Sequence, residues 1–224
     1  MPALTDQDHA KVTAAVAQAE AHTSGEIVTV VADRSDGYSD IALAWAALFA
    51  FTLLTLAAFF PDAVLGPIAA ATNHWNASWT PAEMFTIASS LGILAFLLAW
   101  LAQLWQPLRL AFVPGQVKTD RVENRAIDLF KVGAERRTHG RTGVLIYLSL
   151  SEHRAEIVAD QAIVAKVEPE AWGVAMADML AEIKQGRLAD GIVAGVRDVG
   201  AILAQHFARA ADDTNELPDR LIEL

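Results

Sequence analysis

Two long runs without charge dominate the hydrophobic pattern of this chain. Ile41–Phe60 reads IALAWAALFAFTLLTLAAFF, and Met84–Trp105 is equally free of acids and bases. Between Asp40 and Glu83 there is no lysine, no arginine and one acid, Asp62. A helix of about 20 residues crosses a hydrocarbon core of roughly 30 Å. The pattern therefore predicts a transmembrane hairpin over 41–106, with spans at 41–60 and 84–105 and a short external loop between them.

The flanking segments are patterned differently. Leu4–Thr23 reads as a helix, with Thr5 as N-cap, Asp6 and Asp8 in the first turn, and Val12, Val16 and Ala19 on one face. Ser24-Gly25 ends it. Glu26–Ala32 (EIVTVVA) is rich in β-branched residues and predicts a strand, followed by the turn cluster Asp33-Arg34-Ser35-Asp36-Gly37. Beyond the second span, Pro107 and Pro114-Gly115 mark the exit. Val117–Thr138 places Val122, Ala126, Leu129, Phe130 and Gly133 on one helical side. Gly143–Leu150 (GVLIYLSL) is nearly continuous in apolar residues, as in a strand covered on both faces. Arg154–Asp160 returns as its antiparallel partner across Ser151-Glu152-His153.

Two further helices follow. Pro169 starts the first, and Trp172, Ala175, Met176, Met179, Leu180 and Ile183 keep helical spacing. The second carries the stripe Ile192, Val196, Val199, Leu203 and Phe207. Residues 211–224 are polar, contain Pro218, and are expected to be a flexible tail.

A single helix and strand cannot bury themselves. Residues 1–40 are thus expected to complete one α/β layered domain with residues 107–210, the hairpin being inserted after the first strand. Together these pieces are large enough for one core. The start, MPALTDQDHAK, lacks the basic and apolar regions of a secretory signal, and none is expected.

Charge orients this arrangement. Pro61–Glu83 has no lysine or arginine, whereas Arg34 precedes the first span and Arg109, Lys118, Arg121 and Arg125 follow the second. The positive-inside bias predicts cytoplasmic termini, and Trp75, Trp79 and Trp105 suit an interfacial belt. Neither span holds an ionisable group, so an ion or proton pathway has nothing to be built from. Ala42, Ala46 and Ala50, with Ala88 and Gly92 opposite, predict close helix packing instead.

Composition removes further classes. The net charge is −10, which argues against nucleic acid as a partner. There is no cysteine, which excludes disulfides and thiol chemistry. A hard cation needs several oxygen ligands. Asp33, Asp36 and Asp40 follow the first strand and Asp160 ends another. Asp33, Asp36 and Asp160 would form a metal site if those strand ends share an edge, while an aspartate after a strand also simply starts a turn. Arg141, His153 and Arg154 surround one hairpin and are candidates for contact with an anion or a lipid headgroup. No phosphate-binding loop is present, and the histidines lack metal-ligand spacing. His206 is expected at the edge of the core.

The order helix, Gly25-Glu26-Ile27-Val28, helix, Arg141-Thr142-Gly143-Val144-Leu145-Ile146, then Ser151-Glu152-His153-Arg154 and Glu156-Ile157-Val158-Ala159-Asp160, resembles the TPM domain family. That family is named for a thylakoid lumen protein, a photosystem II repair protein and a nematode receptor-associated protein. Trp172 early in a helix, Gly191 in the last helix and His206-Phe207 at its end agree with it. The resemblance implies an α/β/α sandwich and a role in assembly or repair of membrane complexes, and the expectation for this chain is a non-enzymatic role of that kind. It implies as the alternative a weak metal-assisted acid phosphatase, with calcium as the conceivable cofactor and otherwise none. The bacterial membrane-anchored members are the most similar subgroup. They point to a bacterial inner (cytoplasmic) membrane, with the lipid bilayer and a membrane protein as partners.

Overall fold

The structure is a computed structural model that describes residues 4–72, 78–133, 142–209 and 217–224. It divides into two compact units. Residues 1–36 and 115–224 form one, and the intervening 37–114 form the other.

The first unit opens with α1 (Asp6–Glu20), started by a reciprocal cap. The Thr5 hydroxyl accepts from the Asp8 amide at 3.2 Å, and Asp8 accepts from the Thr5 amide at 2.9 Å. This pairing satisfies amides that the first helical turn cannot, and it holds the Asp8 carboxyl below its usual range. Strand β1 (Glu26–Ala32) follows.

The second unit holds α2 (Ser39–Phe59), α3 (Pro61–Ala71), α4 (Pro81–Ala102) and α5 (Gln106–Phe112). Helices α2 and α4 are both long and apolar enough to cross a membrane, and most of each remains unburied. The buried residues are all small: Ala42, Ala46 and Ala50 on α2, Gly92 and Ala95 on α4. Large side chains point outward, with Phe51 68% and Phe85 75% exposed. Small residues at the seam let the backbones approach. Ala88, expected at this seam, is half-buried, and Ala95 takes the more central place.

Helix α4 begins earlier than the charge-free run suggests. Thr80 and Glu83 form a capping box around Pro81, so Glu83 belongs to the helix as its cap. The segment expected as a plain loop contains α3, for which Pro61 supplies the first-turn φ. Trp75 lies outside the described residues. At the other end of the hairpin, α5 is tied down by polar contacts. Arg109 donates to the carbonyls of Gln103 and Gly37, both at 2.8 Å, and the Trp45 indole donates to the Phe112 carbonyl at 2.9 Å.

The chain then re-enters the first unit with α6 (Gly115–Gly133), β2 (Gly143–Ser149), β3 (Arg154–Ala159), α7 (Gln161–Val164), α8 (Pro169–Ile183), α9 (Leu188–His206) and β4 (Ile222–Glu223). The sheet order is β3-β2-β1-β4. β1 pairs parallel with β2 from Glu26↔Gly143 to Ala32↔Ser149, and β2 pairs antiparallel with β3.

Every residue of β1 and β2 is buried, which explains why β2 reads as a nearly continuous apolar run rather than an alternating one. Successive side chains enter different cores. Ile27, Val31, Val144, Ile146 and Leu148 pack with α1, α8 and α9. Val28, Val30, Leu145 and Tyr147 pack with Val122, Ala126 and Phe130 of α6. The result is an α/β/α sandwich. Close approach on the first face depends on Gly191, where a Cβ would lie 2.8 Å from the Met179 carbonyl oxygen.

Two expectations are corrected here. The flexible tail expected over 211–224 is ordered where it is described. Leu217 and Leu221 are buried, and Ile222 and Glu223 pair parallel with Val30 and Val31 of β1. Polar neighbours hid two leucines that insert on opposite sides of the sheet. His206 is exposed rather than held at the core edge, and it is the neighbouring Phe207 that packs against the core.

Candidate functional site

The polar groups of the sheet unit gather at its two ends. The end where β1 and β2 finish carries Asp33, Ser35 and Asp36 from one connection and Ser149, Glu152, His153 and Arg154 from the β2–β3 turn. Glu152 is 3% exposed, yet it is fully engaged. The Ser35 amide donates to Glu152 Oε1 at 2.9 Å, and the Ser149 hydroxyl donates to Glu152 Oε2. The Ser35 hydroxyl lies 2.9 Å from the Tyr147 hydroxyl and 3.0 Å from Ser149 Oγ. Main-chain bonds run alongside, with the Ser151 amide on the Asp33 carbonyl at 2.8 Å. A buried carboxylate receiving an amide and a hydroxyl is a clamp between two turns, since its hydrogen bonds offset its desolvation.

Around this clamp the charges face solvent. Asp33 is exposed, and Asp36 forms an ion pair with Arg121 of α6 at 3.2 Å. Arg154 donates to the His153 carbonyl at 3.1 Å and reaches the Thr119 hydroxyl at 3.4 Å. His153 is exposed and takes a left-handed backbone, φ 52°. His153 and Arg154 thus share this edge with Asp33 and Asp36. Arg141 lies outside the described residues.

Asp160 is at the opposite end. β3 runs antiparallel to β2, so its last residue returns to the start of β2. There the Gly143 amide donates to Asp160 Oδ2 at 2.8 Å, and the Asp160 amide donates back to the Gly143 carbonyl at 3.0 Å. Seven strand residues at ~3.3 Å each separate the two ends by about 20 Å. Asp33, Asp36 and Asp160 therefore cannot ligate one cation, which corrects the joint site expected from the sequence. Among the described residues, no group of three or more His, Asp or Glu side chains is placed to hold a metal ion.

The clamp residues were hidden for different reasons. Tyr147 and Ser149 sit inside an apolar strand, and Ser35 looked like ordinary turn chemistry. Glu152 left one trace, an acid two residues before Arg154 in a tight turn.

A further acid, Glu156, stands opposite Tyr147 on β3 and is half-buried. Burial raises its carboxyl above the usual range, Glu123 raises it further, and Arg154 opposes both. An acid whose folded pKa is raised favours folding while protonated. That contribution is lost as pH rises from the ordinary range, ~4.3, through the raised one. Glu156→Gln is therefore expected to raise the urea midpoint at pH 7 and to leave it unchanged near pH ~3.5. An equal gain at both values would contradict this origin.

The fold and this edge define an α/β/α domain interrupted by an apolar helical hairpin. The model of the TPM domain family matches residues 108–202, from α5 into α9. Residues 108–202 are thus similar to a TPM domain, and α1 and β1, which lie outside the matched stretch, complete the sheet and one helical layer of the same unit. Among solved structures, the chain is similar to the NMR structure of the BA42 protein from the psychrophilic bacterium Bizionia argentinensis. The identity is 19% and the TM-score 0.57, covering 100% of this chain and 97% of the other, a likeness of fold. None of the curated proteins compared with the chain matches it.

Proposed function

We propose that this protein is a two-span protein of a bacterial inner membrane, with both termini and its TPM domain in the cytoplasm. There it acts without catalysis, as an interaction or assembly factor for membrane complexes. The outward-facing phenylalanines and leucines of α2 and α4 carry this reading. A core helix of a soluble protein buries such residues, whereas these stay exposed around a seam of alanine and glycine. The basic residues Arg34, Arg109, Lys118, Arg121 and Arg125 flank the hairpin on the terminal side, which supports the orientation. The hydrogen-bonded use of Glu152 and Asp160 as backbone clamps supports a structural role for both sheet ends.

The second reading is a weak metal-assisted acid phosphatase, with calcium as its conceivable ion. It is favoured by the exposed Asp33 and the Asp36–Arg121 pair beside the Ser35 hydroxyl. Asp160 has no part in it.

A C-terminal alkaline phosphatase fusion is expected to be silent and a fluorescent-protein fusion bright. The reverse pattern would invert the topology. The two functions separate in the variant Asp33→Asn/Asp36→Asn. Cross-linked partners recovered from native membranes are expected to be unchanged by it. Hydrolysis of p-nitrophenyl phosphate by the wild type that this variant abolishes would instead establish the phosphatase.

A further inference from the structure

The edge of β1 is filled in an unusual way. Its occupant, residues 217–224 (LPDRLIEL), forms only the two-residue strand β4, paired with Val30 and Val31 of a seven-residue neighbour. The rest of its hold comes from points of attachment. Leu217 enters the α6-side core and Leu221 the α1- and α9-side core, so the segment clips both faces of the sheet. The Leu217 amide donates to Glu26 Oε2 at 3.2 Å. The Leu224 amide donates to the Val31 carbonyl at 2.9 Å, and the Asp33 amide donates to the Leu224 carbonyl at 3.0 Å. Glu223 pairs with His9 of α1. Between this segment and α1 lies an open cleft of about 710 Å³, with Ala10, Thr13, Ala14 and Ala17 on the helix side.

We propose that the β1 edge is a strand-accepting groove for an extended peptide segment of a partner protein, and that residues 217–224 are its built-in occupant. The occupant defines the chemistry of the partner. It carries two leucines four residues apart, one for each face of the sheet, then an aliphatic residue and an acid beside His9. Main-chain bonds to a sheet edge supply affinity, and the side-chain sockets supply specificity. The unfilled cleft over the small side chains of α1 leaves room for a bulkier strand than β4. The groove supplies the surface for the interaction role proposed above and rests on that reading for its partner. Its own test needs no partner, so its failure leaves that role standing.

A protease site placed within residues 210–216 of the full-length, detergent-solubilised protein allows the segment to be cut free after folding. The cut protein is exchanged by gel filtration and titrated with fluorescein-labelled LPDRLIEL. Saturable binding is expected, at least ten-fold tighter to cut than to uncut protein. It is expected to weaken at least ten-fold for the peptide bearing Leu217→Ala and Leu221→Ala. The proposal is overturned by absence of saturable binding, or by equal binding to cut and uncut protein. Retention of the cut segment through exchange, or loss of the circular dichroism of the fold on its release, overturns it equally.

Discussion

Leu203→Ala is expected to lower the stability of the sheet unit by about 2–5 kcal/mol, the range for emptying a buried leucine site. Leu203 is fully buried on α9 and belongs to the core shared by α1, α8 and the sheet. Its environment makes the loss diagnosable. A Cβ on Gly25, just before β1, would meet Leu203 Cδ1 at 2.9 Å. Gly25→Ala alone is therefore expected to cost about 1–3 kcal/mol by overpacking. In the double variant the new methyl enters the space that Leu203 vacates, so the two costs are expected to fall short of their sum by ~0.5–3 kcal/mol. Pulse proteolysis in urea measures all three. Strict additivity would show that α9 does not pack against the entry of β1 in this register.

The second large effect concerns the hairpin. Phe51→Arg, near the middle of α2, is expected to cost about 3–4 kcal/mol of membrane insertion, the difference between an arginine and a phenylalanine at the centre of a span. Phe51 has no place in the α2–α4 seam, so packing cannot account for the change. Carbonate extraction of membranes is expected to release the variant while the wild type stays in the pellet. Ala46→Leu provides the contrast. It is expected to stay in the membrane and lose about 1–3 kcal/mol of hairpin stability, because Ala46 is fully buried at the seam. Release of wild type and Phe51→Arg alike would remove the membrane reading.

These effects rest on features that were unequally visible in the sequence. The run EIVTVVA announced a strand, and GVLIYLSL announced one covered on both faces. The α9 stripe Ile192, Val196, Val199 and Leu203 announced a buried helix face, and both became core. Each is a local periodicity, so a short window contains the whole signal. The candidate cation site failed for the opposite reason. The antiparallel turn from β2 to β3 was legible, but the direction of β1 beside β2 was not, because over a hundred residues separate them. Once that pairing is parallel, Asp33 and Asp160 stand at opposite ends. The Glu152 clamp was invisible on similar grounds. It joins Ser35 to Ser149 across the inserted hairpin, and no spacing rule links those positions.

What the sequence determined by itself is the set of parts: two apolar helices, strands of which one is covered on both faces, and helices with one apolar face each. Hydrophobic patterning and capping chemistry act within a few turns of chain, and they suffice for that. Only the tertiary structure decided how the parts share edges. It placed Leu217 and Leu221 on either side of β1 and made a short polar-looking stretch the fourth strand. It also turned Asp160 from a candidate ligand into a clamp for a backbone amide, and it made Glu152, which no reading had singled out, a second such clamp. The physical reason is that a strand edge exposes unpaired backbone groups whose partners are chosen by distance in space. A two-residue strand preceded by two anchoring leucines can meet that demand while leaving almost no trace in the pattern of the chain.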